Sequence, residues 1–494
     1  MMKTNISKHN QFNSPIIFLW LLATTIAVAG LLFGRSAPAA GQESEEPVRV
    51  FSSYWGGSLS ECAHFDRCAS TIDQAGNIYV VGPTDSDDFP LANPLLTSFA
   101  SSSFDDLFVT KIDGQTKQVL FSSYLGNGQA RGVAIDSAGN IVVVGSTYDS
   151  DFTITNDAAQ STFGGGISDG VIVKLSPDGS EVLYSTFLGG SDDDELIDVI
   201  VDAADDIYVT GWSSSANYPV TFNPAQAAFG GNQDTVVTKI LSTGGFFYST
   251  YLGGDQRDRG VGLAVDSAGS LAIVGSSGSD NFPTTAGALQ TVRSSTASYD
   301  ATITKLSPLG AITYSTFYGT GGLNDGVAID LDRSGNSYVL TSHDGVIKLD
   351  PTLSQLIYSE EFELTVGNNT GNLLAAGGQG DIDVDSEGIA FITGWVGQTT
   401  DKDVVLAAIS TSGQLIHYQT VGGSDTDQGY SLDLIEAEDG KKTAYIIGRT
   451  ESSDFPTLNA AQDSLAGGSD VFMVEITNLE TIGFNLIYLP LIIR

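Results

Sequence analysis

An all-β fold is predicted for this chain: a seven-bladed β-propeller of four-stranded blades, closed by an N-terminal strand that completes the last blade. Three observations predict it. A phrase, aromatic-Ser-Ser/Thr-aromatic ending in Gly, starts at Phe51, Phe121, Tyr184, Tyr248 and Tyr314, with degenerate copies from Tyr358 and Tyr418. The copies stand 70, 63, 64, 66, 44 and 60 residues apart, a period that suits a propeller blade and is too long for a solenoid coil. Gly fills 57 of 494 positions while hydrophobic residues make up 41%, so turns are frequent and apolar material for a core is ample.

Each copy holds four short strand signals, here called A to D, separated by turn residues. In the second copy they are Gly132 to Asp136, Asn140 to Gly145, Asp169 to Leu175 and Val182 to Phe187. The B signals, such as Ile78 to Val81 and Ile141 to Val144, are apolar without alternation, as expected of a strand covered on both faces by stacked neighbours. The phase of the repeat predicts the closure. The chain opens with a D signal around Val48 to Tyr54 and ends with A, B and C signals at Gly429 to Leu434, Thr443 to Gly448 and Asp470 to Ile476. The first strand then completes the last blade, leaving no unpaired edge.

The propeller is placed at residues 48–477, and the flanks read differently. Lys3, Lys8 and His9 precede an apolar run from Ile16 to Phe33, then Arg35 and Ser36-Ala37-Pro38-Ala39-Ala40. That order predicts an export signal over 1–40, or an uncleaved anchor, with a linker at 41–47. The protein is expected to act outside the cytoplasm, secreted or at the cell surface, with no membrane insertion of the mature chain if the signal is cleaved. Residues 478–494 form an apolar tail, too short to span a bilayer, that packs on the propeller or serves as a sorting tag. With 59 acidic against 21 basic residues and a net charge of −38, nucleic acid and anionic membranes are excluded as partners. Cys62 and Cys68, a pair in an oxidising compartment, are expected to form a local disulfide.

The A-to-B connections are tight turns, as in Asp136-Ser-Ala-Gly-Asn140, and so are the C-to-D connections, as in Ser176-Pro-Asp-Gly-Ser180. Both belong to one end of the blades, which is nearly bare. The other end is decorated: B-to-C inserts of 21 to 24 residues occur in repeats one to four and seven, each with an Asp/Asn-aromatic phrase such as Asp88-Phe-Pro90 or Asn281-Phe-Pro283. Recurrence marks these aromatics, and the Asp that opens each C strand, as scaffold.

Asp136-Ser-Ala-Gly-Asn-Ile-Val-Val-Val-Gly-Ser146, Asn281-Phe-Pro-Thr-Thr285, Lys174-Leu-Ser-Pro-Asp-Gly179 and Tyr248-Ser-Thr-Tyr-Leu-Gly-Gly254 resemble the SBBP repeat of secreted bacterial β-propeller proteins, and more distantly NHL-type blades. The resemblance runs over about residues 48–477 and departs in repeats five and six. It implies a secreted propeller and carries no catalytic residues with it.

Function is sought where the repeat breaks. Repeat five has only Ser342 and His343 between B and C, repeat six has Trp395 to Lys402, and a long connection, Glu361 to Gly380, runs between them. This sector is expected to be lowered and covered by one loop, with Trp395, His343 and Glu361 as ligand-binding candidates. Trp212, at the position equivalent to Trp395, is a fourth: a flat indole holds a sugar ring, or packs under the adjacent loop. Acidic D-to-A loops, with Asp192 and Asp194, Asp255 and Asp258, and Asp425 and Asp427, offer hard oxygen ligands for Ca²⁺, or are solvated surface charge. No nucleophile elbow, zinc-protease motif or phosphate loop is present. The sequence therefore predicts a binding or interaction scaffold for an extracellular glycan or protein, with an extracellular carbohydrate-active enzyme using acids of the decorated face as the alternative.

Overall fold

The computed structural model describes residues 47–63, 68–100, 105–221, 223–294, 299–321, 324–366, 369–372, 379–398 and 401–479. The expected export signal and most of the apolar tail lie outside the described residues. Among the described residues there are strands and no α-helix. They form five four-stranded antiparallel sheets, one seven-stranded sheet and one two-stranded hairpin.

Repeat three shows the pattern. Strands Asp194–Val201, Ile207–Ser213, Asp234–Ile240 and Phe246–Leu252 pair in the order A, B, C, D. The A-to-B turn is tied by the Asp that opens it. In repeat two the Asp136 carboxylate accepts from the backbone N–H groups of Ala138 and Asn140 at 2.9 and 2.8 Å. Lys174, from strand C, meets the same carboxylate at 2.7 Å. The corresponding lysines Lys239, Lys305 and Lys348 sit beside Asp206, Asp266 and Asp332.

B strands such as Ile141–Thr147 and Leu271–Ser277 are buried along their whole length. The apolar clusters are shared between adjacent sheets: Phe51, Ile78, Val80, Phe108, Ile447 and Met473 from repeats one and seven form one of them. The insert aromatics Phe89, Phe152, Tyr218, Phe282 and Phe455 are buried, so each insert is packed onto its own sheet. The C-strand acids hold the far end of the insert: Asp169, Asp234 and Asp470 accept from the backbone N–H groups of Gly164, Gly230 and Ala466.

The N-terminal strand Val48–Trp55 pairs with Asp470–Thr477 from Val48↔Thr477 to Trp55↔Val471, and lies in one sheet with Lys442–Thr450 and Asp427–Glu436. A strands of successive repeats touch, and Ala69–Ile72 touches both Val119–Ile135 and Asp427–Glu436. Cys62 is paired with Cys68, their Cα atoms 5.5 Å apart.

Two places differ from the repeat plan. Val119–Ile135 is one continuous strand that serves as D of repeat one and A of repeat two, which merges their sheets. The junction there is only Gly126-Asn127-Gly128, with no acidic insert, and φ values of 129° and 142° at the two glycines absorb the change of direction. The linker of repeat six is strand, not loop: Ala390–Gln398 and Asp401–Ile409 pair out to Gln398↔Asp401. The long connection before it carries a hairpin, Glu363–Val366 with Asn369–Asn372, in place of a plain covering loop.

Deleting residues 48–56 is expected to lower the Tm and drive aggregation, because it uncovers the edge of Asp470–Thr477. An unchanged Tm with monomeric elution would contradict this. Intact-mass measurement without reductant should find no alkylatable thiol in exported protein, and replacing both cysteines by serine should cost about 2 kcal/mol.

Candidate functional site

The A strands present one long edge without a strand partner, and side chains of neighbouring A strands satisfy it. Asp198 Oδ2 accepts from the Leu263 N–H at 2.8 Å, and Asp381 Oδ2 from the Leu432 N–H at 2.9 Å. Ser431 Oγ takes the same role toward the Ser70 N–H at 3.2 Å. A second tier lies two residues on. Asp330 accepts from the Val384 N–H at 2.7 Å, Asp383 from the Leu434 N–H at 2.8 Å, and Asp433 from the Ser70 hydroxyl at 2.6 Å. Every one of these bonds reaches from one repeat to the next.

These strands line a cavity of about 390 Å³ whose wall includes Arg131, Asp198, Asp381, Tyr430, Ser70 and Ser431. Burial pushes Asp381 up to about 8, against its backbone hydrogen bonds and helped by the charges of Asp433 and Asp383. Asp433 rises to about 7 through burial and the nearby Asp383. Asp330 and Asp383 are hydrogen-bonded to each other and both are raised, first by burial. Asp381, on the cavity wall, therefore keeps its proton near neutral pH, with the raised Asp433, Asp383 and Asp330 among the A-strand acids beside it.

Acids also pair at the D-to-A junctions. Asp194, Asp258 and Asp427 are buried, and each takes a Gly N–H and a Ser hydroxyl: Gly190 and Ser215, Gly254 and Ser279, Gly423 and Ser452. Each faces the C-strand acid of the preceding repeat, Asp169, Asp234 or Asp403. Burial, reinforced by the partner's charge, raises Asp169, Asp234 and Asp427 to about 7. Gly189 sits between one such pair, where a Cβ would come within 2.6 Å of Asp169 Oδ1 and 2.8 Å of Asp194 Oδ2. Asp192, Asp255 and Asp425 are exposed. Each acidic loop thus splits into a buried staple and a solvated acid. Among the described residues no three His, Cys, Asp or Glu side chains come together as a metal set.

The ligand-binding candidates fall in different surroundings. Trp395 is buried: Lys402 Nζ lies 4.0 Å from its ring centroid, and its Nε1 donates to Gln428 at 3.3 Å with the amide carbonyl turned toward it. Trp212 is half-buried under the Arg259 guanidinium, 5.2 Å from its ring centroid. Both indoles carry a cation on one face, which the repeat pattern did not foretell. His343 is exposed, with Nδ1 3.5 Å from Asp344 Oδ1. Glu361 is exposed, and its backbone lies beside the turn after His343, where a Cβ on Gly345 would come within 3.0 Å of Glu361 Cα. His343 and Glu361 thus lie on adjoining segments, while Trp395 belongs to the wall between repeats six and seven. Sequence reasoning missed the A-strand carboxyls; the one signal was Asp at every second position in Asp381-Ile-Asp383.

Raised carboxyls bind protons in the folded chain at a pH where the unfolded chain has released them. Their contribution is present below the ordinary carboxylate range and is lost as pH rises toward 8. The denaturation midpoint should fall from pH 5 to pH 8, with Asp381→Asn and Asp433→Asn flattening the slope. A midpoint that climbs over that interval would contradict the assignment.

No curated protein sequence matches the chain. Among solved structures it is similar to BamB from Moraxella catarrhalis, at 12% identity over 87% of this chain and 99% of that one, with a TM-score of 0.39. Residues 71–90, which span the end of strand A, strand B and the start of the first insert, match the family model described as SBBP, the beta-propeller repeat.

Proposed function

We propose that residues 48–477 form a closed seven-bladed propeller, secreted or held at a bacterial cell surface, that works as a binding scaffold for a glycan or a protein. Closure is supported by the pairing of Val48–Trp55 with Asp470–Thr477 and by the contacts of Ala69–Ile72 with A strands on both sides. The observation that carries the binding role is the asymmetry of the two ends. One end has tight turns braced by Asp and Lys. The other bears packed inserts from five repeats, where a rigid scaffold can present varied surface.

The alternative, an extracellular carbohydrate-active enzyme, looks to paired acids of the decorated face, where Asp194, Asp258 and Asp427 are tied up by Gly N–H and Ser hydroxyl donors; the A strands hold a further pair. Asp330 and Asp383 touch through a hydrogen bond, closer than the ~5 to 5.5 Å that a retaining glycosidase needs between its two acids. Their contacts with neighbouring backbone N–H groups make them braces of the ring.

A glycan array combined with a hydrolysis screen tests the proposal. Binding without turnover is expected, and turnover would overturn the scaffold reading. For a ligand seated in the lowered sector, His343→Ala and Glu361→Gln should weaken binding and change stability by less than about 0.5 kcal/mol. Asp151→Asn, on an ordinary insert, should bind normally. Trp395→Ala is the wrong probe there, because removing a buried indole costs about 3 to 5 kcal/mol.

A further inference from the structure

Two junctions carry the same three groups with two of them exchanged. Between repeats three and four, Arg259 lies over Trp212 and its Nε donates to Gln233 Oε1 at 2.7 Å. Between repeats six and seven, Lys402 lies over Trp395 and donates to the Gln428 carbonyl at 3.2 Å. Gln233 and Lys402 each precede a C-strand acid, Asp234 or Asp403; Arg259 and Gln428 each follow an A-strand acid, Asp258 or Asp427. Cation and amide have changed places, yet indole, cation and amide still meet. A purely structural residue would recur at one position.

The first of these junctions holds a second cation. Arg257 Nε donates to the same Gln233 oxygen at 2.8 Å. Two guanidiniums thus converge on one neutral amide, each donating to it through Nε. Among the described residues neither Arg257 nor Arg259 forms an ion pair, whereas Arg131, Arg293 and Arg449 each meet a carboxylate. In a chain with 59 acidic residues, that pairing was available and was not made. Both arginines are half-buried and reachable from solvent. Two nearby carboxylates are otherwise engaged, and a third, Asp255, is exposed to solvent. Glu195, opposite Trp212 in the sheet, is held by Arg131 at 2.8 Å, and the Asp258 carboxyl is bound to the Gly254 N–H and the Ser279 hydroxyl.

We infer that Arg257, Arg259, Gln233 and Trp212 form a binding site for the carboxylate of a uronic-acid residue in an acidic glycan. A guanidinium fork matches a carboxylate with two parallel hydrogen bonds, and planar amide and guanidinium groups suit ring hydroxyls. The half-buried indole gives the sugar ring an apolar edge. Peptide capture fits less well, because a peptide is anchored by side chains in apolar pockets. The exposed large apolar residues nearest in sequence are Phe247 and Leu183, on D strands, and Leu289 and Val292, which are separated from one another by polar residues on the insert of repeat four. The site rests on the decorated end being a ligand-binding face and adds the ligand class.

Calorimetric titration of the exported chain with trigalacturonate tests it, with galactotriose and triglutamate alongside. Trigalacturonate should bind, and more weakly as salt rises. Arg257→Gln and Arg259→Gln should each reduce affinity about tenfold or more at unchanged Tm, and Arg259→Lys, which keeps the charge and loses the fork, should fall between. Lys441→Gln, on an exposed turn, should have no effect, and galactotriose should bind at least about tenfold more weakly. Absent binding, equal binding of galactotriose, or insensitivity to both Arg→Gln changes overturns the site; so does triglutamate binding as tightly with the same dependence on the arginines. Any of these results together with ligand capture on the glycan array removes this site and leaves the scaffold reading standing.

Discussion

The structure depends on how the inner edge of each sheet is satisfied. An A strand has a paired partner on one side only, and its other row of N–H groups would be costly to leave bare in a narrow cavity. The chain answers with short acids and a serine that cross to the next repeat: Asp198 to Leu263, Asp381 to Leu432, Asp383 to Leu434 and Ser431 to Ser70. These bonds, with that of Asp330 to Val384, tie repeat three to four, five to six, six to seven and seven to one. The apolar clusters shared between sheets then supply most of the burial.

Acid excess, which looked like a surface property, turns out to have an interior share. Asp169 with Asp194, Asp234 with Asp258 and Asp403 with Asp427 are confronted at the junctions, and the A-strand acids Asp330, Asp381, Asp383 and Asp433 crowd one another. In repeat five Asn324 stands at the corresponding position. Asn324 donates to Asp344 at 2.8 Å, so an amide can do the work of a protonated carboxyl there. The fold tolerates so many inward acids because each has N–H or hydroxyl donors waiting for it.

The repeat, the four strands, the buried B strands and the unequal ends were legible because they rest on local signals: turn residues, apolar runs and a recurring phrase. The staple role of Asp194, Asp258 and Asp427 was hidden in what read as loop charge. Its partner acid stands about 25 residues earlier in the chain, a relation set by stacking. The sequence leaves Trp395 either holding a sugar ring or packing under the adjacent loop, because it shows the position at the end of B but not Lys402 folding back over the ring. Arg257 and Arg259 drew no notice, since nothing next to them in sequence marks Gln233 or Trp212 as neighbours.

The continuous strand Val119–Ile135 couples repeats one and two, pairing with Asp106–Ile112 on one side and Ile141–Thr147 on the other. Elsewhere, neighbouring sheets meet through side chains and can loosen separately. Here seven strands share backbone hydrogen bonds, so local opening must take both repeats at once. Native-state amide exchange would then show these two repeats as a single slow-opening unit, the block around which the remaining sheets fray and re-close.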